Sequence, residues 1–370
     1  MEETMVVDAH VHLYTGTPEK KYFPTRQTWH ICMRWAHQSA PYDRDPEALY
    51  PRQESRISDP DGTYTIGNMD DQGVEAVVCL PVDYDLTFGE ESPLSIEEKH
   101  QHLGELQRKY PGRIIAMAGP DPRRTNSLEI FKRGIREHGL QGLKMAPSMG
   151  YYPWDPRLSP IYEFCLDNDL PVLSCTQFNS GGGYRYARFS QPLQLNDVLC
   201  DFPDLKMVLL HAGHAKLEWF EESILVAMNN PNVYIQIDVW IQGTGIPRDP
   251  RTSLFPLNAF NAEETIVTML ARAKYALGAH RILFGTDTES GPAFQGDNSV
   301  RGFGYKNLID WWRKLPQTAA KYGFSFTDDE VEMMLDTNAK RLFKLEATPP
   351  DLQVKGKYGF RYRYPSPNRG

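Results

Sequence analysis

Hydrophobic residues cluster in eight short runs along the chain, separated mostly by polar segments and by segments with helical spacing. The runs are "MVVDAHVHL" from Met5, "VEAVVCLP" from Val74, "RIIAMAG" from Arg113, "LQGLKMAP" from Leu140, "LPVLSCTQ" from Leu170, "LKMVLLHAG" from Leu205, "VYIQIDVW" from Val233 and "RILFGTD" from Arg281. Strands that are covered on both faces show such nearly continuous hydrophobicity. The pattern therefore predicts eight buried strands.

Most of the intervening segments have the three- and four-residue spacing of amphipathic helices. The segment from Ser95 begins with a Ser-x-x-Glu capping box, and further helices are predicted from Ser159, Ala215 and Ala262. Strands that alternate with helices predict the α/β class and a (β/α)8 TIM barrel. A doubly wound sheet is the alternative, but no Gly-x-Gly-x-x-Gly follows the first strand. The triple glycine at 181–183 lacks the Lys-Ser/Thr of a phosphate loop, so we interpret it as a flexible loop.

Three segments do not follow the strand–helix repeat. A long, polar, Pro-rich insertion at about 14–65 follows the first strand and contains the short helical pattern "TWHICMRWAHQ". Long ordered loops in compact domains are usually lids or binding loops. The basic and aromatic residues 346–370 form a predicted C-terminal arm, so residues 1–345 are expected to make a single barrel domain. A further helix containing Trp311 and Trp312 is predicted after the eighth strand.

Composition narrows the range of partners. The formal net charge of the 370 residues is −8 and no long basic run occurs, which argues against binding to nucleic acid or to anionic membranes. No run of about 18 apolar residues predicts a membrane span. The five cysteines lack paired spacing and the N-terminus does not resemble a signal peptide. We therefore expect reduced thiols and a cytoplasmic protein.

Residues that can bind metals or transfer protons recur at the predicted strand ends. His10 and His12 are two positions apart on the first strand, so both imidazoles lie on one face. The carboxyl ends of barrel strands converge on one site. The other polar groups at these ends are Lys144, Cys175, His211, Asp238 and Asp287. Together they predict a bound divalent metal.

The ordered motifs resemble those of the amidohydrolase superfamily, in the amidohydrolase-related branch that includes aminocarboxymuconate-semialdehyde decarboxylase and related aromatic-acid decarboxylases and hydrolases. The resemblance extends from Val6 to Leu345. It rests on "DAHVHL", "MDDQGVEAVV", "GLKM", "LPVL", "FPDLKMVLLHAGH", "RILFGTD" and "NAKRLFKL".

The resemblance implies roles for individual residues. His10, His12 and Asp287 match the family's metal ligands, and His211 matches a catalytic acid/base near a metal-bound water. Asp287 would accept the proton of that water. The implied function is a metal-dependent hydrolase or decarboxylase that acts on a small carboxylated organic substrate at the barrel mouth.

Cys175 stands where the family has a third histidine ligand, and three interpretations are open. It can be a fourth metal ligand, a small residue beside a site held by His10, His12 and Asp287, or a core residue. A thiolate ligand would make the zinc site formally neutral and, with four protein ligands, closed like a structural site. Zinc is the expected metal, with manganese or iron as alternatives.

Substrate contacts are expected from Arg34, Lys144, Arg185 and Asp238. Arg34 shares a helical face with His30 and His37 in the insertion, and Arg185 follows the fifth strand.

Two other functions remain open at the sequence level. The chain can be a non-catalytic, structural-zinc subunit paired with a catalytic paralogue. It can also be an iron or manganese–iron monooxygenase component, like the amidohydrolase-fold 2-aminoisobutyrate hydroxylase system, and Cys175 and the tyrosines predicted to face the site keep this alternative open. Either a homo-oligomer or a hetero-oligomer with a paralogous subunit is expected.

Overall fold

A computed structural model describes residues 6–38, 45–178, 186–241, 263–300 and 304–345. It contains all eight predicted strands and a short ninth one. The strands are β1 (Val6–His12), β2 (Val74–Cys79), β3 (Ile114–Ala116), β4 (Leu143–Met145), β5 (Val172–Cys175), β6 (Met207–Leu210), β7 (Val233–Ile237), β8 (Ile282–Phe284) and β9 (Thr288–Glu289). All paired strands run parallel.

The strands form two sheets that meet at both edges. One sheet has the order β3-β2-β1-β9 and the other the order β4-β5-β6-β7-β8. At the first seam, the amide of Lys144 donates to the carbonyl of Ala118, with an N···O distance of 2.7 Å. At the second seam, the amide of Asp287 donates to the carbonyl of His10 at 2.9 Å. These bonds join the sheets on both sides, and the predicted (β/α)8 barrel is confirmed.

Helices follow most strands and cover the outside of the barrel. They are α1 (Thr25–Gln38), α2 (Pro46–Leu49), α3 (Gln53–Ile57), α4 (Thr63–Gln72), α5 (Asp85–Phe88), α6 (Ile96–Lys109), α7 (Ser127–Arg136), α8 (Ser159–Asp167), α9 (Gln194–Asp201), α10 (Leu217–Asn229), α11 (Glu263–Leu277), α12 (Tyr305–Arg313), α13 (Leu315–Ala320), α14 (Asp328–Glu332) and α15 (Asn338–Leu342). A π-helical segment, Met333–Thr337, joins the last two.

The predicted helices are present. The Ser95 hydroxyl accepts the amide of Glu98, whose carboxylate accepts the amide of Ser95, so the predicted capping box starts α6. The pattern around His30 lies within α1, and Trp311 and Trp312 lie on α12. The predicted glycine loop and the predicted C-terminal arm lie outside the described residues.

Two apolar clusters make up the core. The larger one packs the helices against the outer faces of the strands. The smaller one collects alternate strand residues from inside the barrel, including Val7, Leu173, Val208 and Leu283, together with Leu342 of α15. The site described below lies at the opposite, carboxyl ends of the strands. Among the described residues, no helix is long and apolar enough to cross a membrane.

Candidate metal centre and catalytic site

His10, His12 and Asp287 converge at the carboxyl end of β1. Nε2 of His10 lies 3.2 Å from Oδ1 of Asp287, and Nε2 of His12 lies 3.1 Å from the same oxygen. The Nδ1 atom of His12 is 2.7 Å from the carbonyl oxygen of Leu80, which favours a proton on Nδ1 and leaves the Nε2 lone pair directed into the site. One ligand atom from each of the three residues lies within 4.8 Å of the others.

A second group shares His10. Oδ2 of Asp238 lies 3.2 Å from Nδ1 of His10 and 2.8 Å from Nδ1 of His211. The three side chains are buried, and the two imidazole rings are 4.8 Å apart. Asp238 therefore lies between the first-strand histidine and the sixth-strand histidine.

The two histidines beside Asp238 differ in charge state. Burial and the nearby Lys144 lower the pKa of His10 to about 3, so the ring is neutral at pH 7. Burial also opposes protonation of His211, but the charge of Asp238 and the contact with Cys175 raise the pKa of His211 to about 10. Although burial works against ionisation of Asp238, His211 and His10 hold its pKa well below the usual value.

Cys175 ends β5 inside the barrel and contacts Lys144. The ammonium nitrogen of Lys144 is 3.0 Å from Sγ of Cys175, and both side chains are buried. Within the described parts of the chain, the groups of ligand atoms within 4.8 Å of one another do not include this sulfur. Whether Cys175 binds a metal therefore stays a prediction, and the contact with Lys144 favours the interpretation of a residue beside the metal.

Asp8 is the site residue that the sequence reasoning missed. Its Oδ1 accepts the amides of His10 and Thr286, each at 3.0 Å, and its Oδ2 accepts the hydroxyls of Thr286 and Tyr305. Burial raises the pKa of Asp8 to about 7. The carboxyl group ties β1 to the segment that carries Asp287 and to α12. The available sequence signal was its position two residues before His10, which puts both side chains on the same face of the first strand.

Two site residues have left-handed backbone conformations. The φ angles are 66° at His211 and 51° at Asp287, and such angles are uncommon outside glycine and cluster at functional sites. The amide of His211 donates to Oε1 of Gln236 at 3.2 Å, and its carbonyl accepts Nε1–H of Trp240 at 2.8 Å. An added Cβ at Gly285 would lie 1.8 Å from Nε2 of Gln236, so a side chain there would displace the glutamine that binds the His211 amide.

The four predicted substrate contacts have different positions. The side chain of Arg34 and all of Arg185 lie outside what the structure describes. Lys144 is buried against Cys175, and Asp238 is fully buried between the two histidines. The structure therefore places both of the described residues within the site cluster.

The residues present fit a divalent cation. Neither nitrogen of the buried His10 makes a hydrogen bond of good geometry to any described residue, although both lie near carboxylates. Two imidazole nitrogens and one carboxylate oxygen form the kind of three-ligand set that catalytic zinc and related transition metals use. His10, His12 and Asp287 are the residues that would hold the ion.

Comparison with known proteins agrees with the fold. An uncharacterised TIM-barrel protein from Bordetella bronchiseptica aligns with a TM-score of 0.58 and 19% identity, covering 92% of this chain and 98% of that chain. 5-Carboxyvanillate decarboxylase from Sphingomonas paucimobilis aligns with a TM-score of 0.61 and 14% identity, covering 92% of this chain and 99% of that chain. A dihydroxybenzoic acid decarboxylase from a Polaromonas species, with bound manganese and an inhibitor, aligns with a TM-score of 0.54 and 16% identity, covering 92% of this chain and 97% of that chain. None of the curated proteins matches this chain.

The family model described as "Amidohydrolase" matches residues 7–345, which include β1 from its second residue, all the later described strands and each of His10, His12, His211 and Asp287. The matched range thus contains all the motifs that carried the resemblance. The chain therefore belongs to the amidohydrolase family of enzymes.

Proposed function

We propose that the protein is a metal-dependent decarboxylase or hydrolase for a small carboxylated substrate, with decarboxylation as the favoured reaction. The observation that carries the proposal is the convergence of His10, His12 and Asp287 at the mouth of the barrel, with His211 beside them. The site lies at the end of the barrel where TIM-barrel enzymes perform their chemistry.

A divalent cation held by His10, His12 and Asp287 would polarise a carboxylate or carbonyl oxygen of the substrate and lower the pKa of a coordinated water. The chain's own groups would do the rest. In decarboxylation, the bond between the substrate carbon and its carboxylate breaks, carbon dioxide leaves, and His211 delivers a proton to that carbon. In hydrolysis, Asp287 would accept a proton from water and His211 would protonate the leaving group.

The insertion supplies a wall beside His12. Tyr14 stacks on the His12 ring with a centroid separation of 6.1 Å and an interplanar angle of 4°. Phe23 makes edge-to-face contacts with Tyr14 and with Tyr84. These aromatic contacts attach the first part of the insertion to the barrel next to the proposed metal, so the insertion borders the substrate's path.

A similarity favours decarboxylation of an aromatic acid, and the ligand set favours a catalytic over a structural site. The structural neighbours include decarboxylases of 5-carboxyvanillate and of dihydroxybenzoic acid. The three-ligand group also leaves room for a substrate at the ion, unlike the closed four-ligand site of a structural-zinc subunit. Manganese and zinc are both suitable for this donor set.

The test begins with the metal content of the purified protein. We expect one zinc or manganese ion per chain, and its removal by a chelator should lower the unfolding midpoint. Reconstituted protein is then assayed with hydroxylated benzoic acids, by carbon dioxide release, and with lactones and amides of similar size, by product formation. If no metal co-purifies and neither Zn²⁺ nor Mn²⁺ changes the unfolding midpoint, the proposal is wrong.

A further inference from the structure

We propose that Asp238 is a positioning residue that fixes the ring orientation of both His10 and His211 and the tautomer of the neutral His10. One carboxylate would then prepare a metal ligand and the acid/base group together. The inference rests on the proposed function for its catalytic meaning, but the protonation of the ring nitrogen that faces Asp238 can be tested in the metal-free protein.

The two oxygens of Asp238 have separate contacts. Oδ1 accepts the amide of Val239, the next residue in the chain. Oδ2 faces the two imidazoles, at 3.2 Å from Nδ1 of His10 and 2.8 Å from Nδ1 of His211. These contacts are shielded from solvent, since Asp238 and His10 are fully buried and His211 is 1% exposed. A carboxylate in such a place accepts hydrogen bonds and cannot donate them.

This arrangement determines which nitrogen of each ring remains available. An imidazole that donates Nδ1–H to a carboxylate keeps its lone pair on Nε2 when it is neutral. Nε2 of His10 lies on the side of Asp287, where the proposed ion would be bound. For His211, the same contact directs Nε2 away from Asp238. Nδ1 of both rings therefore faces this one carboxylate, and Nε2 of each ring faces away from it.

The surrounding contacts limit other positions of the His211 ring. Gln236 and Trp240 hydrogen-bond to the backbone amide and carbonyl of His211. Both belong to the same short segment as Asp238, at the end of β7. Three neighbouring side chains of this segment thus hold one histidine, two by its backbone and one by its ring.

Burial separates this role from a substrate contact, which was the expectation for Asp238 from the sequence. A fully buried carboxylate with both oxygens facing protein groups is shielded from a substrate at the barrel mouth. The competing interpretation is a second cation held by His10, His211 and Asp238, whose ligand atoms also lie within 4.8 Å of one another. That interpretation requires both Nδ1 atoms to be free of protons.

The test uses full-length protein with selectively ¹⁵N-labelled histidine. In the metal-free wild type, NMR should show Nδ1 of His10 protonated, with the His10 signals assigned by the loss of peaks in His10→Gln. In Asp238→Asn, the amide NH2 replaces one acceptor, so His10 should shift towards the Nε2-protonated form. A His10 that carries its proton on Nε2 in the wild type would overturn the inference.

The second readout is metal affinity, measured by chelator competition with Zn²⁺ and with Mn²⁺. Loss of the buried carboxylate beside the proposed metal ligand His10 should weaken binding about 10–100-fold. Asp59→Asn is the matched control, because Asp59 is also fully buried but caps α4 through Tyr64 and Thr65. This control should lower stability and leave metal affinity unchanged.

The outcomes separate the two proposals. Unchanged metal affinity in Asp238→Asn, or two ions per wild-type chain and one in the variant, would contradict the positioning role. A wild type that binds no metal would contradict the proposed function, whereas the tautomer of His10 would still decide the role of Asp238.

Discussion

The ammonium nitrogen of Lys144 lies 3.0 Å from the sulfur of Cys175 in the buried interior of the barrel mouth. The two residues are adjacent because β4 and β5 pair in parallel register, with Lys144 opposite Leu173 and Met145 opposite Ser174. Lys144 thus lies beside Cys175, the residue at the position where the resemblance implied a histidine ligand. This contact underlies the first prediction.

Cys175→Ala should retain the metal. Because the sulfur faces Lys144 and lies outside the groups of potential ligands, we expect one ion per chain and an affinity within about threefold of the wild type, measured by elemental analysis and chelator competition. The small cavity should cost about 1–2 kcal/mol of stability. Cys165→Ala, another fully buried cysteine, located on α8, is the control for the cavity. Loss of the ion in Cys175→Ala alone would show that the thiolate is a ligand.

His211→Gln should lower kcat far more than it lowers metal binding. A positioned acid/base group contributes about 10²–10⁴-fold to rate, so the variant should lose activity in that range once a substrate is known. Metal content should remain at one ion per chain, since His211 lies outside the group formed by His10, His12 and Asp287.

The control for this variant is His102→Gln, on α6 and away from the barrel mouth. It should retain the wild-type kcat. A His211→Gln enzyme with full activity would show that another group transfers the proton.

The barrel could be predicted from sequence because its strands are buried on both faces and therefore read as continuous hydrophobic runs. The positions of His10, His12 and Asp287 followed from the same reasoning, since strand ends in a barrel converge. The network around Asp8 could not be predicted in this way. Its bond to Tyr305 spans 297 positions, and nothing in the local pattern around Tyr305 indicates that its hydroxyl turns towards β1.

The neighbours of Cys175 and Asp238 also could not be predicted from the hydrophobic pattern. A period of two tells which face of a strand a side chain occupies, but not how far a long side chain on the next strand reaches. Lys144 reaches the sulfur, and Asp238 is enclosed by two histidines from β1 and β6. The strand-end pattern locates both residues at the barrel mouth, near a substrate, but carries no information on how deeply their side chains lie.

Tyr305→Phe should destabilise the protein and loosen the metal. The hydroxyl of Tyr305 donates to Oδ2 of Asp8 at 2.7 Å in a buried setting, and a lost hydrogen bond to a carboxyl group costs about 1–3 kcal/mol. Because Asp8 also binds the amides of His10 and Thr286, we expect metal affinity to fall by a few-fold. Denaturant unfolding and chelator competition measure the two effects.

Tyr322→Phe is the matched control, since its hydroxyl donates to Glu263 at 3.1 Å in a less buried place. Tyr322→Phe should lower the free energy of unfolding by no more than about 0.5 kcal/mol. Equal costs for the two variants would show that the bond to Asp8 adds little.

Glu54→Gln should make stability less sensitive to pH. Oε1 of Glu54 accepts the amide of Tyr22 at 2.6 Å, while Oε2 is buried and has no hydrogen-bond partner among the described residues. Burial raises the pKa of Glu54 from 4.5 to about 7. The folded protein therefore holds this proton more tightly than the unfolded chain does, so its contribution to stability is complete below about pH 4.5 and is lost as the pH rises to about 7.

The glutamine keeps the oxygen that accepts from Tyr22 and cannot ionise. Relative to the wild type, Glu54→Gln should therefore gain stability between pH 5 and pH 8, by up to ~3 kcal/mol. Denaturant unfolding at both pH values measures the gain, and it is read against Glu19→Gln, which removes one exposed carboxylate from the same insertion. The same pH dependence in Glu54→Gln and in the wild type would mean that Glu54 ionises without cost, and that the insertion admits water to a carboxylate that lies buried against the backbone of Tyr22.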